Sequence, residues 1–79
     1  MNWQMIHNVP PSKGSLFVFL SRNKEAQEIF FGVLISEDLV LCGQSIRELK
    51  TRPTLTFLKE LIKHSKNDKP IWWSPFILP

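Results

Sequence analysis

The sequence predicts a small α+β domain: an antiparallel sheet of three to four strands, one amphipathic helix packed on one of its faces, and an aromatic C-terminal tail. Three observations carry that expectation. Residues 15–20 (SLFVFL) and 28–35 (EIFFGVLI) are dense in the β-branched and aromatic side chains that suit a pleated surface. Beyond Gly43 the apolar residues change from alternation to helical spacing. With 79 residues the chain forms one domain, 1–79, and only a modest core.

The elements follow in order. Residues 2–9 put Trp3, Met5, His7 and Val9 on one side if extended, which suits a first or edge strand. Pro10 and Pro11 end it, because neither can donate to a sheet ladder. Residues 15–20 then form a strand apolar on both faces. A polar connection over 21–27, with Asn23 as its turn residue, leads into the strand at 28–35, where Gly32 marks a bulge or a close backbone approach. Ser36-Glu37-Asp38 turns the chain and residues 39–42 return, giving a three-stranded antiparallel meander.

Ser45 and Glu48 have the spacing of a capping box, so a short helical turn is expected over 46–50. Thr51 is placed as the N-cap of the main helix, expected from Arg52 to about Ser65, with Leu55, Phe57, Leu58, Leu61 and Ile62 on one side at about 100° per residue. Residues 67–70 (NDKP) stop it. Residues 71–78 (IWWSPFIL) are too apolar to leave in water and are expected to dock on the domain.

Composition narrows the function classes. Apolar residues at 43% and charged residues at 22% are ordinary globular usage, and no apolar run approaches the ~18 residues a membrane helix requires. The first ten residues lack a basic segment followed by an apolar one, so no secretory signal is expected. A single cysteine, Cys42, gives no internal disulfide and points to a reducing cytoplasm, that of a host cell if the gene is viral. The formal charge of +3 is uneven: residues 47–69 carry seven basic and three acidic side chains, residues 1–46 three basic and four acidic.

Little in the sequence points to catalysis. Cys42 with His7 or His64 has the residue types of an activated thiolate but no diagnostic spacing, and the same three residues lack the CxxC or HxxxH pattern of a metal site. Glu37 and Asp38 are neighbours in an expected turn, where adjacent side chains diverge. No glycine-rich phosphate cradle is present. Catalytic residues, metal ligands, cofactors and a small-molecule substrate are therefore not expected. Residues 32–41 (GVLISEDLVL) resemble a barrel-strand stretch of chymotrypsin-like proteases, over ten residues. Cys42-Gly43-Gln44-Ser45 stands where that family carries its catalytic histidine, so the resemblance transfers no site.

Binding is the better expectation. Strands apolar on both faces need two covers, and one helix supplies one. The sequence therefore predicts a non-enzymatic accessory or regulatory protein that binds another protein, or itself as a homodimer. The surface would be an apolar sheet face, a sheet edge or the aromatic tail, with Trp72, Trp73, Phe76, Phe17, Phe19, Phe30 and Phe31 as anchors. Inhibitors or adaptors of phages and mobile elements are one population of such chains. The alternative is a nucleic-acid-binding domain that sets Lys59, Lys63 and Lys66, with Arg52 one face-repeat earlier and Arg47 and Lys50 just before, against phosphates.

Overall fold

The computed structural model describes residues 2–22 and 27–77, without the side chains of residues 21 and 22. The expected turn residue Asn23 and the end of the tail at Leu78 lie outside the described residues. The chain is α+β, but with six strands and two helices in place of three or four strands and one helix. In order these are β1 (Gln4–Met5), β2 (Leu16–Arg22), β3 (Gln27–Leu34), β4 (Leu39–Gly43), α1 (Ile46–Thr51), β5 (Thr54–Phe57), α2 (Leu58–Asn67) and β6 (Ile71–Pro75). The strands make one antiparallel sheet in the order β1-β6-β2-β3-β4-β5. Among the described residues no helix is long and apolar enough to cross a membrane.

The meander β2-β3-β4 is as expected. The first difference lies in the main helix, which does not run from Arg52. Thr54-Leu55-Thr56-Phe57 alternates polar and apolar with a period of two, and it pairs with β4 as the strand β5. Thr51, expected as an N-cap, is the last residue of α1 and donates its hydroxyl to the carbonyl of Arg47 at 2.8 Å. The helix α2 begins at Leu58, and its first backbone N–H groups are satisfied from the β3–β4 turn. Leu58 N–H donates to the Asp38 carbonyl at 2.7 Å and Lys59 N–H to Asp38 Oδ1 at 2.9 Å. Asp38, through its backbone carbonyl and its carboxylate, thus does the work of the missing local cap. The shorter α1 has its own: Glu48 N–H donates to Ser45 Oγ, and Glu48 Oε2 reaches back to Gln44 N–H.

The second difference is the tail. Residues 71–75 do not lie over the sheet. They are inserted into it as β6, hydrogen-bonded to β1 on one side and β2 on the other. The crossover from β5 to β6 carries α2 across one face, the inner face. There Phe17, Phe19, Leu34, Val40, Cys42, Ile71 and Trp73 form the buried core with Ile6 and Leu58, and Phe30, Leu61 and Ile62 pack against it. Phe19 stacks on Phe30 at 5.2 Å and Phe17 meets the edge of Trp73 at 5.9 Å, so aromatic pairs tie β6, β2 and β3 together under the helix. Gly32 lies beneath that cluster. A Cβ there would come within 2.9 Å of the Phe17 ring, so its role is close approach.

Candidate functional site

Strand register sorts every strand residue onto one of two faces, because successive side chains alternate. Val18 pairs with Phe31 and Ser74, Leu20 with Ile29 and Trp72, Leu16 with Val33, Leu41 with Val33 and Leu55, and Leu39 with Phe57. These residues form the outer face, opposite α2. At these positions only Ser74 is polar and none is charged; the same alternation sets the pair Arg22 and Gln27 at the margin of this face. The outer face is covered in part: Val18 and Ser74, in register at its centre, are 6% and 2% exposed. Gly43, in register with Phe31, leaves room there for α1, and a Cβ at 43 would meet the backbone nitrogen of Leu49 at 2.7 Å. Phe76, bonded through its N–H to the Leu16 carbonyl, sets its ring edge-on to Phe31 at 5.1 Å. On either side of that row, at the β5 edge and toward the β2–β3 hairpin, the surface is open: Leu55 is 61% exposed, Phe57 48%, Ile29 50% and Trp72 36%.

Strand β5 is the most informative element. Its register sets Thr54 beside Cys42 and Thr56 beside Val40, on the inner face, and Leu55 and Phe57 on the outer one. In an edge strand built only to finish the core, the apolar pair would point inward. Here the polar pair does. The short threonines leave a cavity of about 490 Å³ beside α2, lined by Phe19, Phe30, Cys42, Thr56, Leu61 and His64 among others. The Cys42 thiol lies in this wall with its pKa pushed up to about 11 by burial, the opposite of what activates a nucleophile. His7 is engaged elsewhere. Its Nδ1 lies 2.7 Å from Ser65 Oγ, which also accepts from Ile71 N–H at 2.9 Å, so one buried hydroxyl ties α2 to β6 and to the N-terminal turn. Among the described residues no cluster of three potential metal ligands occurs.

The expected anchors divide between the faces. Phe17, Phe19 and Trp73 are core residues, at most 6% exposed, and Phe30 packs on them, so these four are not available to a partner in this fold. Trp72, Phe31 and Phe76 are on the outer face. The sequence reading missed Leu55, Phe57 and Ile29 as surface groups. The signal for the first two was the period-two alternation of residues 54–57. The basic set is also divided: Lys59, Lys63 and Lys66 project from one exposed side of α2, whereas Arg52 caps the C-terminus of α1 and does not continue that stripe. Arg47 and Lys50 are exposed on α1. Lys59 lies 4.0 Å from Asp38 and 5.6 Å from the centre of the Phe57 ring. Comparison with known proteins finds no matching family model, no similar curated protein and no similar solved structure.

Proposed function

We propose that this chain is a non-enzymatic accessory protein that acts by docking its outer sheet face on an apolar protein surface. The observation that carries the reading is the register of β5, which turns Leu55 and Phe57 to the open face and Thr54 and Thr56 to the inner one. Exposed apolar surface without charge costs free energy in water and is regained only against another apolar surface. Trp72, Phe31 and Phe76 extend the same face. Photo-crosslinking in expressing cells, with a photoreactive side chain at position 57 or at position 63, tests it. Adducts from 57 and not from 63 are expected. Adducts only from 63, or none from 57, would count against the docking face.

A second reading rests on Lys59, Lys63 and Lys66, spaced four and three residues apart on an exposed side of α2. That spacing suits successive phosphates of a nucleic acid. Titration of random duplex DNA and single-stranded RNA at low and moderate salt decides it. A steep loss of affinity with salt supports the reading, and no binding at low salt removes it.

A further inference from the structure

We infer that the surface covering the outer face is a second copy of this chain, so that two sheets pack face to face as a symmetric dimer. The inference rests on the reading of the outer face as a docking surface, and it names the occupant. Three properties of the face select it.

The first is self-complementarity. A two-fold dimer places the same patch on both partners, so any charge near its centre meets an apolar group or its own kind. Apart from Arg22, in register with Gln27 at the margin, the paired residues of the outer face carry no charge, so its centre offers a nucleic acid or an acidic peptide nothing to pair with. The second is area. Taking roughly 150–250 Å² for a large side chain, the half-exposed Ile29, Leu55, Phe57 and Trp72 leave on the order of 400 Å² open. The half-buried Leu16, Leu20, Val33, Leu39 and Leu41 add to this. Two copies therefore bury roughly 1,000 Å² or somewhat more, the lower bound for a specific interface. That size suits a reversible dimer and falls short of an obligate one. The third is the edge. Pairing through β5 as a continued sheet would engage only four residues, preceded by Pro53, and would leave Leu55 and Phe57 in water on the outer face. Face-to-face packing beside α1 covers them.

Sedimentation velocity on the full chain from about 1 µM to 1 mM tests the proposal, a range that brackets the dissociation constants expected of small interfaces. The expected result is a concentration-dependent rise to twice the 9.2 kDa monomer. The double variant Leu55→Lys with Phe57→Lys should weaken association at least about 100-fold, since four lysines would enter a dry interface. Glu60→Gln, on the exposed side of α2, should leave it unchanged. Far-UV circular dichroism checks that the double variant folds, and Ile29→Lys on β3 provides an independent disruption if it does not. A monomer throughout the range overturns the second copy as occupant, and so does a dimer indifferent to both the β5 and the β3 substitutions. Crosslinks from position 57 to a different protein would then keep the docking face while removing self-association. Their absence would remove both.

Discussion

The two faces of the sheet are built from the same kinds of residue and behave differently because α2 lies across one, while the other carries only the short α1 at Gly43 and the ring of Phe76. Trp73 and Trp72 are adjacent in β6 and show the contrast most directly. Trp73 is 6% exposed under α2, against Phe17, and its indole N–H donates to the Val9 carbonyl. Trp72 faces the other way, 36% exposed, beside Leu20 and Met5. The comparison teaches that apolar character in this chain does two separate jobs. On the inner face it holds the monomer together, and on the outer face part of it stays exposed, the surface proposed above for a partner.

Substitutions can break or sharpen that contrast, and the largest effect is expected inside. Trp73→Ala should cost about 3–5 kcal/mol, because it removes an aromatic from the packed core and leaves a void. Chemical denaturation should show it as a large fall in midpoint, on the scale of the whole stability of a small domain. Trp72→Ala should change the stability of the dilute monomer by less than about 1 kcal/mol, as exposed positions do, while weakening association. Equal losses for the two would mean that the outer face is as closed as the inner one.

Next in size are the devices that hold the inner face shut. Ser65→Ala should cost roughly 1–3 kcal/mol, since it strips Ile71 N–H and His7 Nδ1 of their shared partner in a buried position. Gly32→Ala should cost about as much, roughly 1–3 kcal/mol by overpacking, because the Phe17 and Phe19 rings occupy the space a Cβ would take. Both are measurable by urea denaturation.

The effect confined to the narrowest conditions is one of pH. The Cys42 thiol is held protonated in the fold, its pKa raised to about 11 from 9.0 by burial. Between those values the folded state binds more protons than the unfolded state. This contribution is therefore fully present below about pH 9 and is lost as pH rises toward 11. Denaturation midpoints in that window should fall less for Cys42→Ala than for the natural chain. Ellman's reagent at neutral pH should react slowly with the native protein and fast with the unfolded one.

Much of this fold was legible locally. The strands at 15–20, 28–35 and 39–42 declare themselves by composition, and the capping box at Ser45 and Glu48 by spacing. What was not legible depended on distant partners. Helix α2 starts at Leu58 because Asp38 reaches its first N–H groups from another turn. Without that knowledge, Pro53 followed by Leu55, Phe57, Leu58, Leu61 and Ile62 reads as one continuous helical stripe. The sequence showed that residues 71–75 must leave water, but as β6 they do so in the middle of the sheet, a placement set by β1 and β2 together. The candidate site followed the same rule. The excess of apolar strand surface could be counted in advance, but which residues compose it waits on register, and β5 changes both.

The central claim is that the outer face is covered when the protein is at work, and solvent accessibility of its methyl groups tests this most directly. In concentrated solution, a soluble paramagnetic agent should broaden the methyl signals of Leu55 and Ile29 little, and less than on dilution, while the side chains of Lys63 and Lys66 are strongly affected throughout. Leu55 and Ile29 methyls as strongly affected as the lysines, at every concentration, would contradict it.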